Sequence, residues 1–217
     1  MKTSTAPKQL KEFAAAAHRM AEAQLLFCAS GNLSQRISGN RMLITGTGTW
    51  LGLLTASQVA VCDLRNGAAL EGCTPSKEIG FHAGILRERK DVEVVLHFQS
   101  PHATTLACVG VRKIDYFMVP EVPYYLGPIA SIPYLTPGSQ ELAEAVTEAC
   151  RKHDCVVLRN HGQVVVGKSF DDVIQKAVVF EQACRIIVEA GAHLKTLSPR
   201  AVAALLAERA HALSKGA

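Results

Sequence analysis

The sequence has no run of about 18 apolar residues, so no ordinary membrane-spanning helix is expected. Its seven cysteines (Cys28, Cys62, Cys73, Cys108, Cys150, Cys155, Cys184) form no CxxC pair. A zinc site made of cysteines is therefore not expected. The odd count and the apolar neighbours of most of these thiols fit packed, reduced cysteines in a reducing cytosol. There is no internal repeat, no low-complexity stretch and no obvious linker, which leaves a single domain over residues 1–217 as the expectation. Neither a P-loop nor a dinucleotide-binding fingerprint occurs. Charge is sparse as well: charged residues make up 19% and hydrophobic residues 48%, which excludes a disordered chain. The 23 basic and 19 acidic residues leave a formal charge of +4. The basic residues are scattered, with only short clusters such as Arg87-Glu88-Arg89-Lys90, so nucleic-acid binding is not expected. A small anionic substrate is compatible with this balance. Residues 1–9 are polar, and the apolar residues after them are broken by Lys11, Glu12, His18 and Arg19, which is not the pattern of a signal peptide. A cytoplasmic protein is expected.

What is present is the punctuation of a mixed α/β chain. Leu10, Phe13, Ala17, Ala21 and Leu25 recur at helical spacing and predict a helix over residues 8–28. Short strands are expected at 33–37, 42–45 and 59–62. A helix should open at Thr74-Pro75-Ser76 and run to about residue 89. A strongly β-prone run covers 92–98, a short helix follows Pro101, and two or more strands are expected within 113–133. A helix at 138–153 precedes strands at 155–158 and 164–167, which flank a sharp bend at Arg159-Asn160-His161-Gly162. Helices at 169–190 and 198–213 close the chain. Several connections are too short for parallel crossovers, so the sheet should be mixed, largely antiparallel and covered by helices on both faces.

Four short segments carry residues suited to chemistry. In Leu96-His97-Phe98-Gln99, residues 97 and 99 point to one face of a strand and can converge on one small object. A buried imidazole at the end of an apolar strand is more often a hydrogen-bonded core residue than a ligand, although histidine is a common metal ligand. Asn160-His161-Gly162 places His161 at a rim where it can project into a cleft, or where it is simply a turn histidine. Gly162 fits either case by allowing φ > 0. Ser76-Lys77-Glu78 stands at a helix start, where free N–H groups suit an anion. There Glu78 is either an ordinary first-turn carboxylate or a base. Ser30-Gly31-Asn32-Leu33-Ser34 and Thr45-Gly46-Thr47-Gly48-Thr49 are turns rich in hydroxyls and exposed backbone N–H groups, able to cradle a phosphate, though such turns occur in most proteins.

Together these segments resemble the class II aldolase/adducin family, and within it the L-fuculose-1-phosphate aldolase branch. The markers are Gly31-Asn32-Leu33-Ser34, Met42-Leu43-Ile44-Thr45-Gly46-Thr47-Gly48, Pro75-Ser76-Lys77-Glu78, Val95-Leu96-His97-Phe98-Gln99 and Asn160-His161-Gly162. The resemblance covers about residues 8–190. It implies a three-layer α/β/α subunit, a homotetramer with active sites at subunit contacts, and a divalent zinc ion held by histidines, with Mn²⁺ or Mg²⁺ as alternatives. It matches Glu78 to the catalytic acid/base and to a metal ligand before substrate binds. His97 and His161 match metal ligands. Gly31, Asn32, Thr47, Gly48, Ser76 and Lys77 match the substrate-phosphate site.

Three departures stand out. The family pattern His-x-His has Gln99 at its second position, and His102 is out of register to replace it. Lys77 stands where a second serine is common. The family uses tyrosines as proton donors, one near the C-terminus, and this chain has no tyrosine after Tyr134. The position nearest the other donor is Phe117, with Tyr116 beside it. Tyr116 is the candidate donor, supplied by a neighbouring subunit, with Tyr124, Tyr125 and Glu121 as alternatives.

The resemblance implies a metal-dependent aldehyde-lyase that cleaves a ketose 1-phosphate to dihydroxyacetone phosphate and an aldehyde. Decarboxylation of a β-keto acid leaves the same kind of enolate. A decarboxylase or epimerase of a sugar-acid phosphate is thus the alternative on the same scaffold, followed by a non-catalytic, adducin-like relative.

Overall fold

The structure, a computed structural model, describes residues 7–109 and 114–215. The polar start at 1–6 and Lys113 lie outside the described residues.

Helix α1 spans Pro7–Glu22 and buries Phe13, Ala14, Ala16, Ala17 and Met20 along one face. It stops short of the expected residue 28. Gln24 (φ 58°) and Cys28 (φ 52°) are left-handed and cannot continue a right-handed helix. Strands β1 (Asn32–Ile37), β2 (Arg41–Thr45), β3 (Val59–Asp63) and β4 (Ala69–Gly72) form a meander. Strand β4 is mostly exposed and has no alternating apolar pattern, which is why the sequence did not reveal it. Next come α2 (Ile79–Glu88), β5 (Val94–Phe98) and α3 (Pro101–Ala107). A π-helical turn at Val122–Leu126, then β6 (Ile129–Ile132), α4 (Gln140–Cys150), β7 (Cys155–Leu158) and β8 (Gly162–Gly167) follow, before α5 (Phe170–Ala190) and α6 (Pro199–Lys215).

The strands form an eight-stranded sheet in the order β4-β3-β2-β1-β5-β8-β7-β6. The β6–β7 pair is parallel and all the others are antiparallel. That parallel pair is joined through α4, as a parallel connection requires. Alternate residues of each strand enter opposite cores. Met42, Ile44, Val95 and Val164 pack under α2 and α4, whereas Leu43, Leu96 and Val165 pack under α1, α3 and α5. The three-layer α/β/α architecture with a mixed, largely antiparallel sheet is the one expected. Among the described residues no helix is long and apolar enough to cross a membrane.

Two further boundaries differ from expectation, and one of them shapes the site. Helix α2 begins at Ile79, not at Pro75. Residues 74–76 are instead stitched to the loop after β2: Thr47 N–H donates to Thr74 O (3.0 Å), Ser76 N–H donates to Thr45 O (3.0 Å), and Gly46 pairs with Pro75. Glu78 therefore caps the helix mouth. Within 114–133 there is one strand, β6, where two or more were expected. Pro120 and Pro123 offer no N–H to a ladder. Tyr116, Phe117, Met118 and Val119 pack on the core as irregular chain.

Candidate metal centre

The mouth of α2 lies over β1 and β5 on the α2/α4 face of the sheet. Period-two alternation sends Asn32 and Ser34 to this face, and Asn32 is paired with His97 of the neighbouring strand. Glu78 and His82 are four residues apart, so both project from the same side of α2. The turn between β7 and β8 brings His161 to the same point, next to Asn160, which is left-handed (φ 55°).

Gly162 is explained by close approach and not by a positive φ, which it does not have. A Cβ there would lie 2.7 Å from Phe98 O, 2.8 Å from Gln99 Cγ and 3.0 Å from His97 Cε1. Only glycine lets β8 come this near to the end of β5.

The result is a carboxylate set between two imidazoles. Glu78 Oε2 lies 3.5 Å from His97 Nε2, and Glu78 Oε1 lies 3.5 Å from His161 Nε2. One ligand atom from each of the three residues falls within 4.8 Å of the others. All three are largely buried, with His97 1% exposed and Glu78 8%. His97 Nδ1 lies 2.9 Å from the Gln163 carbonyl. A carbonyl only accepts, so Nδ1 carries the hydrogen and Nε2 of the neutral ring presents a lone pair to the centre. Burial, and to a lesser degree the neighbouring His97, lowers the pKa of His161 below the usual histidine value, against the opposing pull of Glu78. A neutral imidazole is the form that binds a metal. Glu78 Oε1 and His161 Nδ1 are buried without a hydrogen-bond partner. Two neutral nitrogen donors, a carboxylate oxygen and an unsatisfied buried acceptor fit a divalent cation.

The structure thus brings together Glu78, His97, His161 and Asn32. Asn32 Nδ2 donates to Glu78 Oε2 at 2.9 Å. Gln99 borders the centre beside Gly162. Ser76 is buried, and its Oγ accepts from Glu78 N–H at 3.3 Å. Thr47, Gly48 and Lys77 are exposed on the two stitched loops, and Gly31 leads into β1. Tyr116 is not brought to this centre by its own chain. It packs on Phe180 of α5 with ring centroids 5.1 Å apart, and burial raises its pKa. His102 is bound to Glu181 at 2.7 Å, which keeps it out of the metal position as its register suggested. Sequence reasoning assigned no role to His82 and counted Ser34 among the hydroxyls of a phosphate-cradling turn, whereas Ser34 lies buried on β1 against His82. Their local traces are Asn-x-Ser on a strand and Glu-x-x-x-His at a helix, but neither motif by itself tells that the two meet.

The sequence pattern of the class II aldolase and adducin N-terminal domain matches residues 11–188. The chain belongs to this family. Class II aldolases are metal-dependent, and Glu78, His97 and His161 form a centre able to hold such an ion. Two similar proteins are 3-oxo-tetronate 4-phosphate decarboxylase of Haemophilus influenzae, 32% identical over 160 residues (72% of this chain, 76% of the relative), and L-fuculose phosphate aldolase of Methanococcus maripaludis, 32% identical over 169 residues (78% and 90%). Among solved structures, YgbL of Escherichia coli, described as a candidate aldolase, epimerase or decarboxylase, superposes with a TM-score of 0.86 at 25% identity, covering 92% of this chain and 98% of that one.

Proposed function

We propose that the chain is a metal-dependent carbon–carbon lyase acting on a phosphorylated sugar or sugar acid. Its acid/base is Glu78, and its divalent ion is held by His97 and His161, with Glu78 as a third ligand before substrate binds. The observation that carries this reading is Glu78 set between the two imidazoles with Oε1 buried and unpartnered. The donor set suits zinc, with Mn²⁺ or Mg²⁺ as alternatives. When bound, such an ion supplies a Lewis acid toward the oxygens of a substrate carbonyl.

The residues themselves do the rest. His97 and His161 present fixed nitrogens, and Glu78 holds or moves a proton at Oε1. Ser76, Thr47, Gly48 and Lys77, with the backbone at Gly31, flank the mouth of α2, where free N–H groups and the helix dipole favour a phosphate. Asn32 has one amide N–H committed to Glu78 and a second left for the substrate.

Decarboxylation of a 3-oxo sugar-acid phosphate is the first reading. The bond to the carboxylate breaks, carbon dioxide leaves, the electron pair forms an enolate, and one proton must then be delivered to carbon. Glu78 alone meets that need. Cleavage of a ketose 1-phosphate to dihydroxyacetone phosphate and an aldehyde is the second reading, favoured by the similarity to the fuculose phosphate aldolase. It requires a second group to take the hydroxyl proton while Glu78 protonates the new carbanion. That group would come from a neighbouring subunit of a tetramer, with Tyr116, Tyr124, Tyr125 or Glu121 as the candidates. Both readings take residues 1–217 as one domain.

The test is a panel of 3-oxo sugar-acid phosphates and ketose 1-phosphates, assayed with Zn²⁺, Mn²⁺ or Mg²⁺ for release of carbon dioxide and of dihydroxyacetone phosphate. Metal-dependent carbon dioxide release, abolished by chelator and lowered about 100-fold or more in kcat by Glu78→Gln, is expected. Undiminished turnover in that variant, or equal rates on substrates without phosphate, would overturn the assignment.

A further inference from the structure

His82 is fully buried, one turn after Glu78 on α2, and Ser34 is fully buried on β1. Neither can touch a substrate from there. Ser34 Oγ lies 2.7 Å from His82 Nδ1, and His82 Nε2 makes a short contact with Asn32 Oδ1. Asn32 Nδ2 in turn donates to Glu78 Oε2 at 2.9 Å.

The direction of every bond in this chain is fixed. The carboxylate oxygen accepts, so the amide must turn its nitrogen toward Glu78 and its oxygen toward His82. An amide oxygen also only accepts, so His82 Nε2 carries the hydrogen. Burial, together with the nearby His97, keeps His82 in its neutral form. Nδ1 is therefore a lone pair, and the Ser34 hydroxyl donates to it. Reversing the amide would set oxygen against oxygen at Glu78. Reversing the imidazole would set a lone pair against the amide oxygen. No link can turn alone, and the members polarise one another in a dry setting. The array does not conduct protons, because the amide of Asn32 does not pass one on. What it does is hold one carboxylate oxygen. Glu78 Oε2 is taken, while Oε1 stays buried and free, 3.5 Å from His161 Nε2.

We propose that Ser34 and His82 are positioning residues: they lock the amide of Asn32 so that it grips Glu78 by Oε2 and leaves Oε1 as the oxygen that exchanges the proton with substrate. This rests on the reading of Glu78 as the acid/base.

Two substitutions separate positioning from mere packing. In His82→Gln the side-chain amide nitrogen falls near the place of Nε2 and still donates to Asn32. In His82→Asn the shorter amide reaches only the place of Nδ1, meets Ser34 and leaves Asn32 unheld. His82→Gln should keep kcat within about 3-fold of wild type, while His82→Asn loses about 30- to 100-fold in kcat with little change in KM, the scale of a catalytic group misplaced by an ångström. Equal losses in both variants, or a loss confined to KM, would overturn the proposal. A second measurement needs neither substrate nor metal. Nitrogen-15 NMR of the metal-free protein, with the His82 signal assigned by its absence in His82→Gln, should show the Nε2–H tautomer. In Ser34→Ala the Nδ1 resonance should shift as its donor is lost. An Nδ1–H tautomer in the wild type would overturn the proposal even if no substrate in the panel is turned over. The expected tautomer in a protein without lyase activity would instead remove the reading of Glu78 and leave the array standing.

Discussion

Gln99 is the residue whose chemistry departs most from the family pattern. Its Cγ and His97 Cε1 both lie within 3.0 Å of where a Cβ on Gly162 would stand. A glutamine can offer a metal only a neutral carbonyl oxygen, a weaker donor to zinc than imidazole nitrogen. Even supporting groups around a metal shift its affinity by about 10- to 100-fold. Gln99→His is therefore expected to raise zinc affinity, in competition with a chelator, by about tenfold or more. Unchanged affinity would place Gln99 outside the coordination sphere. At this scale the sequence was informative where a residue sits inside a motif of fixed local spacing, as Glu78, His97 and His161 do. It was silent on His82, whose partners Ser34 and Asn32 lie 48 and 50 residues away. Their meeting depends on how α2 is laid across β1, and no local pattern encodes that.

At the scale of elements, the site exists because β8 approaches β5 without an intervening side chain. Gly162→Ala puts a methyl within 3.0 Å of Phe98 O, Gln99 Cγ and His97 Cε1. The strands must part or the imidazole must turn. A stability loss of about 1–3 kcal/mol, the usual range for overpacking, is expected in urea unfolding, together with weaker metal binding. A variant with wild-type stability and metal affinity would contradict the close approach. Element types were legible for α1 from its helical spacing, and for α4, α5 and the core strands. Boundaries were not. Left-handed residues ended α1 early, and backbone bonds to the β2 loop withheld residues 74–76 from α2. Prolines at 120 and 123, with apolar irregular chain before them, stood where two or more strands were expected.

At the scale of the whole molecule, Asp154 ties together segments distant in sequence. It meets Arg89 at 3.0 Å, Lys176 of α5 at 3.2 Å and Arg209 of α6 at 2.6 Å. Burial alone would push its carboxyl pKa up, but Lys176, Arg209 and Arg89 together hold it below the ordinary 3.8. The folded pKa is the lower one, so this stabilisation is present above the unfolded value of 3.8 and is lost as pH falls through the folded value. Asp154→Asn takes the carboxylate from Arg209 and leaves Arg89 with Asp91 and Lys176 with Asp172. It should cost about 3 kcal/mol or more near neutral pH, measured by urea unfolding. The gap to wild type should narrow as the pH is brought below about 4. A gap that does not change with pH would contradict the ionic role of Asp154.

The central claim is that Glu78, His97 and His161 together hold a divalent ion. Its most direct test is equilibrium dialysis of metal-stripped protein against Zn²⁺, with Mn²⁺ and Mg²⁺ in parallel and folding checked by circular dichroism. One ion per chain is expected for the wild type, with binding lost in His97→Ala and in His161→Ala and weakened in Glu78→Gln. A folded wild-type protein that takes up none of these ions, or one whose binding survives both histidine substitutions, would contradict the account.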